Sequence, residues 1–170
     1  MASNRSRRVA LASLFGVLIL VTMGFLPAPT SDFLIVIEAF FLALSFLVVG
    51  KGGATYTGVV AGLLITAVKL SFFPLDLVFA IFFGVMVDAT GLAFRAKSGS
   101  EAKTVRLVVA ITISTGLVGF AAYYVTAVLT NIVPNQIGLD ATVLIFGIAS
   151  GAMGGFAAAR VWNKYLKLRI

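Results

Sequence analysis

"ATYTGVVAGLLITAVKLSFFPLDLVFAIFFGVMVDATGLAFR", residues 54–95, holds two apolar runs of similar length that meet at Pro74. At about 1.5 Å per helical residue, each run is long enough to cross the roughly 30 Å of hydrocarbon in a bilayer. Between them, "KLSFFPLD" at residues 69–76 carries Lys69 and Asp76. Pro74 lacks the N–H that a helix interior needs, so it suits a break. The stretch therefore predicts two membrane helices joined by a short turn.

Four further runs flank this pair, at roughly 9–26, 33–49, 105–130 and 140–162. Together with 54–73 and 76–95 they predict an all-α polytopic membrane bundle of six transmembrane helices, a single domain over residues 1–170. Composition agrees, with 61% hydrophobic and 11% charged residues against about 25% charged in a soluble domain. Arg5, Arg7 and Arg8 precede the first run and "LPAPTSD" follows it, which resembles a signal peptide. A signal's apolar region spans only about 7–15 residues and ends at a small-residue cleavage site. This run is longer and lacks such a site, so a retained helix is expected.

The net charge is +7, and its placement gives an orientation. Basic residues gather at Arg5, Arg7 and Arg8, at Lys51, at Arg95, Lys97, Lys103 and Arg106, and at Arg160, Lys164, Lys167 and Arg169. These are the N-terminus, the second and fourth loops, and the C-terminus. Lys and Arg mark the cytoplasmic face of a membrane protein. Both termini are therefore expected in the cytoplasm, with the chain a multi-pass protein of the cell membrane. Topology explains the basic residues without a nucleic-acid partner.

The sequence has neither cysteine nor histidine. Thiolate and imidazole metal ligands are thus unavailable, as is a Ser-His-Asp triad. No GxxxxGK[ST] motif is present, so nucleotide hydrolysis would have to come from another chain. Neither an enzyme, a metal nor a cofactor is expected.

The connections read as short. In "KGGAT", Gly52 and Gly53 permit a tight turn. "RAKSGSEAKT" is a polar loop in which Ser100 or Thr104 is placed to cap the fifth helix, and Asp32 and Asp140 are placed to cap the second and sixth. Small residues recur every four positions: Ala54, Gly58, Gly62 and Thr66; Ala80, Gly84 and Asp88; Gly147, Gly151, Gly155 and Ala159. Such stripes mark close helix contacts in lipid. Ala12 and Gly16 on the first helix are the stripe best placed to dock a partner.

Ionisable residues inside the spans point to function, because each needs a partner, water or a route to the interface. Glu38 lies about 8 Å below the outer end of the second helix. Lys69 lies just short of the outer end of the third. Lys69 either snorkels or pairs with Glu38, or both line an outward cavity. Tyr123, Tyr124, Thr126, Asn131, Asn135 and Gln136 share that outer half. An apolar pocket with a few placed polar groups suits a small molecule. An interfacial aromatic belt and a solvated loop are the competing readings. Asp88 is deeper and expected to face protein, pairing with Lys51, Arg95 or a partner, or relaying a proton.

Six short helices with both ends inside resemble the substrate-binding S component of energy-coupling factor (ECF) transporters. "ALASLFG" at residues 10–16 is similar to that family's small-residue motif on helix one, with glycine in place of the second alanine. "FLVVGKGGATYTGVVAGLL" and "PLDLVFAIFFGVMVDATGLAFR" are similar to its second loop, third helix and fourth helix. The resemblance implies capture of a vitamin or related micronutrient from outside. It also implies a transmembrane coupling subunit that docks at Ala12 and Gly16, and separate cytoplasmic ATPase subunits. It projects ligand binding onto Asp76, Tyr123, Tyr124, Asn131 and Gln136, under "LPAPTSD" as a lid. Glu38 and Lys69 join the expected site on charge alone. The alternative is a membrane scaffold or accessory subunit, of the MreD kind or part of a larger complex, with exposed stripes and no pocket.

Overall fold

The computed structural model describes residues 2–24, 34–69, 74–130 and 137–167. Among them the chain forms a helical bundle: α1 (Ala2–Ile19), α2 (Ile35–Val49), α3 (Gly53–Val68), α4 (Leu75–Ala93), α5 (Thr104–Thr130) and α6 (Ile137–Val161). A π-helical turn extends α1 over Leu20–Gly24, and another extends α6 over Trp162–Leu166. Among the described residues, four segments are long and apolar enough to cross a membrane: Ser6–Met23, Leu75–Ala93, Thr104–Thr126 and Ala141–Leu166. α2 and α3, at 15 and 16 residues, reach only about 22 and 24 Å. A count of six full spans is therefore not established by length alone.

The short helices have a reason. α2 packs against every other helix, while α1, α3, α4, α5 and α6 form an arc around it. Its Leu42, Ala43, Leu44, Ser45, Phe46, Leu47 and Val48 are consecutive and all buried. A helix apolar on all sides belongs in the middle of a bundle.

Absent side chains let the arc close. A methyl group at Gly58 of α3 would overlap the Ala80 carbonyl of α4, and one at Gly84 would stand 2.5 Å from the Ala54 carbonyl. Across the α5/α6 seam, a methyl at Gly151 would come within 2.7 Å of the Thr112 Cα. The α3, α4 and α6 stripes thus face neighbouring helices of the same chain.

The turns differ from expectation in detail. Gly50 and Gly52 hold positive φ, at 87° and 83°, with Gly52 in the left-handed helical conformation. Gly53 does not; its hydrogen leaves room for the Ser45 carbonyl, 2.5 Å from where a Cβ would sit. The fourth loop is a hairpin, with β1 (Lys97–Ser98) antiparallel to β2 (Glu101–Ala102). Gly99 opens its turn at φ 60°, the two-residue geometry that favours glycine first. Ser100 is in that turn and too far back to cap α5; the Lys103 carbonyl accepts the first helical bond, from Leu107 N–H. α6 starts at Ile137, so Asp140 falls inside the helix, and Asp32 lies outside the described residues.

Candidate functional site

α1 and α3 run side by side in the same direction, so their far ends meet. There the Lys69 ammonium donates to the Met23 carbonyl at 2.7 Å. Met23 belongs to the π-helical turn that extends α1, and a cation is favoured toward the C-terminal end of a helix. This is why lysine is tolerated in "KLSFFPLD". Asp76, in the first turn of α4, lies within electrostatic reach of Lys69. Two of the expected site residues, Lys69 and Asp76, are thus brought together.

Of the three readings of Lys69, the ion pair with Glu38 is not formed among the described residues; the ammonium turns to α1 instead. Glu38 is 9% exposed in the first turn of α2. Among the described residues its carboxyl has no hydrogen bond or ion pair. Two turns further along the same helix face, the Ser45 hydroxyl lies 2.7 Å from the Thr57 hydroxyl and 2.8 Å from the Gly53 carbonyl. Thr57 in turn lies 3.1 Å from the Ala12 carbonyl. Two hydroxyl protons serve these three contacts and bind α1, α2 and α3 together. Glu38 therefore points to the three-helix side of α2, about 10 Å from this junction.

α2 meets α6 near its own start. Val36 and Phe40, near the start of α2, pack against Gly154 of α6. From Gly154 back to Ile137, α6 runs about 25 Å along its own axis. From Thr112, opposite Gly151, α5 continues about as far to Thr130. In residues 141–149 of α6, all but Val143 and Gly147 are exposed. Tyr123 and Tyr124 lie on this upper part of α5. Tyr123 is half-buried, while Tyr124 is 55% exposed and stacks on Phe120 at 6.5 Å. Tyr124 is thereby on the outer surface of the bundle, as an aromatic-belt residue would be. Asn131 and Gln136 lie outside the described residues.

Ala12 and Gly16 are corrected more fully. Ala12 is buried, and a methyl at Gly16 would stand 2.8 Å from Val60 of α3. The stripe is consumed in seating α1 on α3, and the face α1 leaves exposed is Val9, Leu14, Val17 and Val21. A partner reaching α1 would meet those apolar side chains instead.

Asp88 does face protein, but as a cap reaching across helices. Its carboxylate accepts from the Thr55 N–H at 2.8 Å, the Thr55 hydroxyl at 2.6 Å and the Ala54 N–H at 3.3 Å. These are the first orphan donors of α3. Neither Lys51 nor Arg95 forms its ion pair.

The basic end is more built than a solvated loop, and the sequence reading missed it. The Trp162 indole donates to the Ser100 carbonyl at 2.9 Å. The Asn163 amide accepts from Ala102 N–H at 3.0 Å and donates to its carbonyl at 2.8 Å. Lys167 and Glu101 form an ion pair at 3.0 Å. Lys97 donates to the Leu47 carbonyl at the end of α2 and lies over the Trp162 ring. Burial, and secondarily the nearby Arg8, push the Lys97 ammonium below the ordinary lysine range. The lone tryptophan beside an asparagine, and the Gly-Ser pair between short polar runs, were the signals for this clamp.

Beside the clamp, Thr104, Phe156, Arg160, Asn163 and Lys164 line an open groove of about 370 Å³. It lies at the basic end, opposite the site expected from sequence. No protein-family model, curated protein or solved structure shows a significant match to this chain.

Proposed function

We propose that this protein is a membrane substrate-capture subunit of the ECF type. In this reading it takes a vitamin-sized molecule from the outer side and delivers it inward with a separate coupling subunit and ATPases. The observation that carries the reading is Glu38. A carboxyl this enclosed, without a protein partner among the described residues, is costly in a bundle unless water or a ligand reaches it. Beyond the contact of α2 with Gly154, α6 runs about 25 Å along its own axis to Ile137, and most of its residues 141–149 are exposed, which supports a surface that a ligand can reach. Lys69 and Asp76 stand near the same end. The positive-inside bias of the basic residues supports that end facing outside. Tyr124, being on the surface, drops out of the ligand shell in this reading, and Ala12 and Gly16 drop out of the docking face.

The test is native mass spectrometry of the protein purified in mild detergent, with the retained small molecule identified. Glu38→Gln is expected to weaken retention of that molecule at least about tenfold, the effect of losing one charge-assisted contact. A wild-type protein that carries no small molecule but co-purifies with a membrane complex would instead identify a scaffold.

A further inference from the structure

The groove at the basic end has a two-sided chemistry. Arg160 and Lys164 stand about one turn apart on the same face of α6 and its π-helical extension. Among the described residues neither has a carboxylate within 4.0 Å, since Glu101 is taken by Lys167. Asn163, the polar wall between them, is committed to the Ala102 backbone. On the same stripe toward the middle of the helix come Phe156 and Met153, exposed and apolar. Tyr165 is exposed next to Lys164, whose ammonium lies 5.2 Å from its ring centre. Exposed tyrosine is the residue type that collects at the headgroup level. The stripe Met153, Phe156, Arg160, Lys164 thus passes from hydrocarbon to water within about 17 Å.

We propose that this groove binds one anionic phospholipid, its phosphate between Arg160 and Lys164 and an acyl chain along Phe156 and Met153. Unpaired cations at the membrane surface recognise acidic headgroups. The apolar half distinguishes a lipid from free phosphate, which has nothing to place against Phe156. The inference is independent of what the opposite end captures.

Native mass spectrometry in detergent, titrating an acidic phosphatidylglycerol against zwitterionic phosphatidylcholine, tests it. One phosphatidylglycerol is expected to bind preferentially. The pair Arg160→Gln/Lys164→Gln is expected to weaken it about thirtyfold, roughly fivefold for each charge lost. The control pair Arg7→Gln/Lys51→Gln removes the same charge from elsewhere on the basic end and is expected to leave binding unchanged. Equal loss in both pairs would reduce the effect to general surface charge and overturn the site. Competition by inorganic phosphate as effective as that by the lipid would overturn the lipid assignment. Far-UV circular dichroism of each variant keeps loss of fold from being mistaken for loss of binding.

Discussion

Asp88 shows how a single side chain can be read correctly for direction and wrongly for partner. Its place on the Ala80–Gly84 stripe turns it toward protein, and the sequence alone suggests a cation to meet it. The group it meets is the start of α3, where two N–H groups and a hydroxyl offer stronger, directional neutralisation. That choice depends on the α3/α4 register, which no local pattern reveals. Asp88→Ala is expected to cost about 2–3 kcal/mol, leaving buried donors without acceptors. Asp88→Asn, which keeps one acceptor, is expected to cost about half as much. Denaturant unfolding of the detergent-solubilised protein measures both, and equal stability of the alanine variant would remove the cap from the account. Lys97 gives a pH signature at the same scale. Its ammonium is held below the ordinary lysine value, so the folded state binds fewer protons than the unfolded state in the alkaline window between the two. Stability contributed by this group therefore rises with pH across that window. Lys97→Met is expected to flatten the rise, as followed by thermal unfolding at stepped alkaline pH.

At the scale of elements, most of the bundle was legible and the pairing of its faces was not. The predicted spans 33–49, 76–95 and 105–130 fall within about two residues of α2, α4 and α5. Long apolar runs have only one stable conformation in lipid, which is why they read so clearly. The four-residue stripes were equally clear, but a stripe does not name its partner. α3 turned out to seat on α4, and α1 on α3, through contacts set by the whole bundle. The hairpin was hidden for another reason: two residues per strand carry too little alternation to stand out from a polar loop. The seams make a direct prediction. Gly84→Ala drives a methyl toward backbone atoms of Ala54 and Thr55 that cannot step aside. It is expected to destabilise by about 1–3 kcal/mol. Gly119→Ala in α5 meets nothing within 4 Å, so it is expected to stabilise by up to about 1 kcal/mol through helix propensity. A common sign for the two variants in thermal unfolding would contradict the packing described.

Across the whole molecule, charge divides the two ends. One end gathers the basic clusters, the clamp of the hairpin on Trp162 and Asn163, and the groove. The other holds Glu38, Lys69 and Asp76, at the far ends of α1 and α3 and the starts of α2 and α4. The candidate site was legible as a list of charges, because any ionisable residue in an apolar run stands out. Its geometry was not, since no local pattern reveals that Lys69 turns to the Met23 carbonyl rather than to Glu38. Function follows from this asymmetry only if the basic end faces the cytoplasm. The chain has no cysteine, so single cysteines can report each side without background. Pro74 and Ser100 are both exposed, at opposite ends of α4 and the turn beyond it. Pro74→Cys is expected to react with a membrane-impermeant maleimide in intact cells. Ser100→Cys is expected to react only after the membrane is opened, and at least about tenfold less before, as the positive-inside bias requires. The reverse pattern would place Glu38 on the cytoplasmic side, where an uptake subunit could not meet its substrate, and would leave the groove of Arg160 and Lys164 facing the outer leaflet.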